Sequence, residues 1–133
     1  NRQVYADCQT LSILCNVVDD PQHCDFFVPA VVKRGDLQIA VGTEGNCPAY
    51  AGHLRKKLEK MFSAQHGRFL SELECMRRQI IEQVPDPADR KTLLGQLVDD
   101  GSFERFNTRG VDAWRANVEE MIQSHLATPR APE

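Results

Sequence analysis

Apolar positions fall in two different rhythms along this 133-residue chain. Up to about residue 45 they come in short, partly β-branched runs; beyond it they recur every three or four positions, the spacing of a helix. Val4, Cys8 and Leu11 share one face of a helix at the start. Leu11 to Val18 (LSILCNVV) predicts a short buried strand, ended by Asp19, Asp20 and Pro21. Cys24 to Val32 is apolar with two aromatics, and Pro29 is placed to open a short helical turn over PAVVKR. Gly35 and Asp36 are turn residues, Leu37 to Val41 (LQIAV) predicts a second strand, and GTEGNCP follows as a loop of small and polar residues.

Pro48 suits the first position of a helix, with Cys47 or Asn46 at its cap. Ala51, Leu54, Leu58, Met61 and Phe62 form its stripe, and Gly67 reads as an interruption. Phe69, Leu70, Leu73, Met76, Ile80 and Val84 mark a long second helix. Asp86 and Pro87 cap and start a third, with Leu93, Leu94, Leu97 and Val98 inward. After Gly101 a short helical piece carries Phe103 and Phe106. Val111, Trp114, Val118, Met121, Ile122 and Leu126 give a last stripe, and the tail after it reads as disordered. These stripes read as core rather than as a cofactor box. The class is α+β, with a helix plus strand at the start and about four helices toward the C-terminus.

Composition narrows the function more by exclusion than by indication. At 41% hydrophobic and 26% charged residues the chain is an ordinary globular domain. A net charge of −3 argues against nucleic acid, which needs a clustered positive field. No apolar run approaches the ~18 residues of a membrane span, and no signal-peptide pattern opens the chain. The five cysteines are odd in number, irregularly spaced and without a CxxC pair, which reads as reduced thiols of a cytoplasmic protein. Adjacent His23 and Cys24 are poorly placed to chelate together, so no metal site is expected. The lone histidines carry no assignment.

Two stretches carry chemistry. NVVDDPQHCDFFVPA, Asn16 to Ala30, puts two carboxylates at the tip of an apolar run, and strand tips in open α/β sheets are where ligands sit. IAVGTEGNCPAYAGHLRKKLE feeds a strand through a loop with two glycines into a helix N-terminus. Free N–H groups and the helix dipole favour an anion there, and Arg55, Lys56 and Lys57 follow. By itself the loop is no Walker motif and no GxGxxG.

Together the two stretches resemble the siroheme synthase family, that is, precorrin-2 dehydrogenase and the sirohydrochlorin ferrochelatases built on the same chain. The family pattern of N-V-x-D, F-x-x-P-A/S, a loop near S-T/S-x-G-x-S-P and a helix with L-R-x-K-L-E corresponds to Asn16–Asp19, Phe26–Ala30, Gly42–Pro48 and Leu54–Glu59. Two positions depart from it: Gly42 stands where a serine is usual, and Cys47 replaces the serine before Pro48, where a thiol still caps weakly.

The resemblance implies a siroheme-pathway enzyme that oxidises precorrin-2 to sirohydrochlorin with NAD, and in some members inserts Fe2+ to give siroheme. It implies Asp19 as the catalytic base. It places Asn16, Thr43, Gly45, Asn46 and Arg55 on the tetrapyrrole, with Asn16 also beside the nicotinamide, while Asp20 remains a turn residue. Lys33 and Arg34 are further candidate partners for substrate carboxylates. It implies a homodimer acting on a tetrapyrrole, with neither nucleic acid nor membrane as partner. The expected organisation is the end of a dinucleotide-binding domain over residues 1–20, a dimerisation and tetrapyrrole-binding region over 21–64, a helical domain over 65–127 and a disordered tail over 128–133. The Gly-rich dinucleotide-binding half of the family is expected to precede Asn1. The alternative is a non-catalytic tetrapyrrole-binding or dimerisation module, because that half is absent from this chain.

Overall fold

The computed structural model describes residues 2–127; the expected disordered tail lies outside them. The order of elements is α1 (Arg2–Thr10), a single 3-10 turn at Pro21–His23, β1 (Ala30–Arg34), β2 (Leu37–Val41), α2 (Pro48–Met61), α3 (Ala64–Gln83), α4 (Pro87–Leu97), α5 (Asp100–Arg109) and α6 (Val111–Ala127). The class is α+β, as expected. The chain divides into two compact units. One comprises Asn1–Lys33 with Gln38–Phe62, the other Arg34–Leu37 with Ser63–Glu133.

The second unit is a four-helix core made by α3 to α6, as the stripes predict. Helices α3, α4 and α5 each start where a side chain supplies an acceptor for unpaired N–H groups. The Asp86 carboxylate accepts from the N–H groups of Ala88 (2.8 Å) and Asp89 (3.0 Å), with Pro87 behind it. Asp99 accepts from the Ser102 N–H at 2.6 Å. Ser63 caps α3 by accepting from the Gln65 N–H, while its own N–H donates to His66 Nδ1 at 3.1 Å. Met76, Ile80, Leu93, Leu97, Trp114, Val118 and Ile122 face inward and are almost wholly buried. The Trp114 indole N–H donates to Ser102 Oγ at 2.9 Å, so the largest core side chain leaves no buried donor unpaired. Arg115 and Glu72 form a two-pronged pair, at 2.6 and 2.9 Å, between α6 and α3. Asp86→Ala removes a cap of a common kind. It is expected to cost about 1 kcal/mol, read as a lower urea midpoint with an unchanged slope.

Several elements differ from the sequence reading. Leu11 to Val18 is not a buried strand: Leu11, Ile13, Leu14 and Val18 are exposed, and only Val17 is buried. An apolar run becomes a strand only when another strand pairs it, and among the described residues none does. PAVVKR is not a helical turn but strand β1, paired with β2 in a two-stranded antiparallel hairpin. The β-branched Val31 and Val32 outweigh the helix-opening Pro29. Gly67 does not interrupt a helix; it lies in the first turns of α3. Cys47 is the N-cap residue of α2, but its thiol makes no capping bond. Val98 and Leu126 are exposed rather than inward, and in the stripe of α2 only Ala51 is buried.

Candidate functional site

The first unit contains a cleft of about 620 Å³ whose wall combines the Asn16–Pro21 tip, the Phe27–Ala30 segment, the Val41–Gly45 loop and the start of α2. The volume lies in the range of small-molecule sites. Of the residues the sequence points to, Asn16, Asp19, Thr43 and Gly45 line it, and so does Asp20. Asn46 and Arg55 do not. The Asn46 N–H closes a turn onto the Thr43 carbonyl at 2.8 Å, and Arg55 is paired with Glu59 one helical turn on. No Lys or Arg lies in the cleft wall among the described residues.

The tip is held mainly by bonds to the segment just after it. The Cys15 N–H donates to Asp25 Oδ2 at 2.9 Å, and the Asp25 N–H returns a bond to the Cys15 carbonyl at 2.8 Å. Gln9, on α1, adds bonds to both Asp25 oxygens. Asn16 Nδ2 donates to the Phe26 carbonyl at 2.9 Å and approaches Cys24 Sγ at 3.6 Å. Both amide protons of Asn16 are therefore engaged in the fold, and its carbonyl oxygen is the group left to meet a ligand. Cys24 Sγ lies 3.3 Å from the Val17 nitrogen, the Val17 oxygen and the Asp20 oxygen.

Within this frame Asp19 takes a left-handed backbone, φ +61°. That conformation costs a side-chain-bearing residue about 1 kcal/mol, less for Asp and Asn than for others. Its carboxylate makes no hydrogen bond or ion pair among the described residues and is exposed to the cleft. Asp20 differs: its Oδ2 pairs with His23 Nδ1 at 2.8 Å, and the Tyr5 ring meets the His23 ring edge-on at 4.8 Å between centroids. Two neighbouring carboxylates thus have separate surroundings, one spent on the turn and one open.

The loop before α2 reaches the cleft through Thr43 and Gly45. Glu44 and Gly45 both have positive φ, +49° and +77°. A Cβ on Gly45 would sit 2.5 Å from Phe27 Cε1, so the glycine is required by both its backbone and its neighbour. Gly45→Ala is expected to cost about 1 kcal/mol of stability for the left-handed backbone. It also swings the Phe27 ring, which lines the cleft. The check is a denaturation midpoint measured beside a ligand titration, both of which fall.

All five cysteines are free thiols. The Cys15 thiol is pushed above its ordinary pKa by partial burial first and by the adjacent Cys8 thiol second. No group of three or more His, Cys, Asp or Glu side chains able to hold a metal ion occurs among the described residues. His23 is turned to Asp20 while Cys24 is turned to the backbone of the tip, so the adjacent pair shares no ligand geometry. Also among the described residues, no helix is long and apolar enough to cross a membrane. Sequence reasoning missed Cys24, Asp25 and Phe27. Their partners include backbone atoms and a glycine's empty side, which no spacing rule signals.

Comparison with known proteins gives a consistent neighbourhood. Residues 1–30 match a family described as putative NAD(P)-binding, and residues 34–61 match one described as sirohaem biosynthesis protein central. The chain is 32% identical over 128 residues to a siroheme synthase of Thioalkalivibrio sulfidiphilus, covering 96% of this chain and 26% of that protein. It is 34% identical over 118 residues to a siroheme synthase of Gluconobacter oxydans, covering 89% and 24%. It is 29% identical over 97 residues to the siroheme biosynthesis protein met8 of Schizosaccharomyces pombe, covering 73% and 37%. The chain spans about a quarter of the length of the two bacterial relatives. Its fold resembles that of SirC, a precorrin-2 dehydrogenase, with a TM-score of 0.69 at 19% identity, over 90% of this chain and 59% of the other.

Proposed function

We infer, from a chain that belongs to the siroheme synthase family, that it supplies the tetrapyrrole-binding and proton-transfer part of an enzyme of siroheme biosynthesis. The observation that carries this is the convergence of Asp19, Thr43 and Gly45 on one cleft, with the Asp19 carboxylate unpaired. Asn16 contributes its carbonyl oxygen, and the N-terminus of α2 lies at the cleft through Pro48 and Ala51, bringing its positive dipole end toward an acidic ligand.

Two reactions of that pathway release protons from a tetrapyrrole. Oxidation of precorrin-2 to sirohydrochlorin removes a hydride and a proton. Insertion of Fe2+ into sirohydrochlorin expels two pyrrole protons as the metal forms its bonds to nitrogen. In both, an exposed carboxylate at the rim takes the proton and passes it to water. NAD is the hydride acceptor the family implies, and residues 1–30 match a family described as putative NAD(P)-binding. Asn16, the one residue assigned to the nicotinamide, has its amide protons committed to Phe26 and Cys24 and offers its carbonyl oxygen. The part read from this chain is the proton's, with precorrin-2 as the substrate of the oxidation and sirohydrochlorin and Fe2+ as those of metal insertion.

We also propose that it works as a homodimer in the cytoplasm. Exposed Phe26, Phe27, Val28 and Val31 suit an association surface, and free thiols suit a reducing compartment. The same exposed surface favours the second reading, a binding and dimerisation module without chemistry. An absorbance titration of sirohydrochlorin, with and without Fe2+, separates the two. Saturable binding followed by metal insertion supports the enzyme, binding without insertion supports the module, and an unchanged spectrum overturns both.

A further inference from the structure

We propose that Cys24 is the positioning residue of this site: its thiol clamps the turn that presents the Asp19 carboxylate to the cleft. The inference rests on the reading of Asp19 as proton acceptor and adds a residue that reading does not use. Sγ of Cys24 sits 3.3 Å from Val17 N, 3.3 Å from Val17 O and 3.3 Å from Asp20 O. A thiol has one proton to give and lone pairs to accept with. It accepts the Val17 N–H and donates to one of the two carbonyls at a time. These atoms are the two ends of a single turn, which is itself closed by the Asp20 N–H on the Val17 carbonyl at 3.3 Å.

Between those ends lie only Val18 and Asp19, both exposed. Neither has a side-chain hydrogen bond or ion pair to fix its backbone. What holds Asp19 at positive φ is therefore the closure of the turn, and Cys24 is the side chain that touches both of its ends. Cys24 also lines the cleft, so the clamp and the carboxylate face one space. A serine there keeps one donor and its acceptors on a shorter bond. An alanine removes all of them.

The test uses this chain with Cys24→Ala and Cys24→Ser. The one-bond Cα–Hα coupling of Asp19 separates positive from negative φ, and exchange of the Val17 amide reports its bond to sulfur. Both are expected to be kept in Cys24→Ser and lost in Cys24→Ala, with the amides of α3–α6 unchanged as the control for folding. Metal insertion into sirohydrochlorin is expected to fall about tenfold in Cys24→Ala, since small misplacements of a reacting group cost that much or more. Kd for sirohydrochlorin stays within about threefold, Cys24→Ser recovers most of the rate, and Cys24→Ala adds no further loss on an Asp19→Asn background. A positive φ retained at Asp19 in Cys24→Ala, or an equal loss on both backgrounds, overturns the clamp. If the unmodified chain inserts no metal, or Asp19→Asn is as fast as the unmodified chain, the reading of Asp19 fails instead. The coupling and exchange measurements then still decide the clamp.

Discussion

Asp19→Asn is expected to slow metal insertion into sirohydrochlorin by about 10²-fold or more, the usual loss when a positioned proton acceptor is removed. The substitution is chosen because it changes little else. Asparagine has nearly the same shape and tolerates the left-handed backbone at least as well, so the turn at φ +61° survives. The carboxylate has no partner among the described residues, so no buried charge or donor is left stranded. Sirohydrochlorin Kd should therefore move less than about threefold, and the whole effect should appear in the rate constant. Asp20→Asn is the matched control: its carboxylate is one residue away in the same cleft wall but paired with His23. A rate as low in Asp20→Asn as in Asp19→Asn would remove the distinction between the two carboxylates.

Gly67→Ala is expected to destabilise the helical unit by about 2 kcal/mol, against what helix propensity alone dictates. In an exposed helix the change gains about 1 kcal/mol. Here a Cβ would lie 2.3 Å from the Arg34 carbonyl oxygen, 2.7 Å from its carbon and 3.3 Å from the Gly35 nitrogen. The hairpin turn lies directly on the first turns of α3, backbone against backbone. A flexible side chain could step aside at small cost, but a peptide group between two paired strands cannot. Overpacking of this kind costs about 1–3 kcal/mol, and a contact this short belongs at or above the upper end. A urea melt followed by circular dichroism decides the sign. Gly95→Ala, inside α4 with nothing within 4 Å of its Cβ position, should show the opposite effect.

The helical unit was legible because its signals are local. Asp86–Pro87 caps a helix wherever it is put, and the Trp114–Val118–Ile122 stripe needs only the helical repeat. The first unit was not, because its elements depend on what pairs with them. Leu11–Val18 has the composition of a buried strand, yet composition cannot name a neighbour, and the described structure provides none. Gly67 is ambiguous for the same reason: a glycine that breaks a helix and a glycine that lets a chain cross it look alike in sequence. At the cleft, motif resemblance pointed to Asp19, Thr43 and Gly45, which the fold gathers, and to Asn46 and Arg55, which it leaves outside the wall. The bonds that shape the tip run from Cys24 and Asp25 to main-chain atoms, and main-chain partners leave no trace in residue identity.

The pair of hydrogen bonds between Cys15 and Asp25 makes the tip a closed unit. Its ends are tied like the ends of a hairpin, and its inner shape is set by Asn16 and Cys24, which lie within it. A segment of that sort is transplantable. Closing a loop adds cost only with the logarithm of its length, so a neck already tied by paired bonds can be reproduced by a covalent link in a cyclic peptide. The information that bends Asp19 would travel with the segment, and a scaffold offering two chain ends at hairpin distance could carry it.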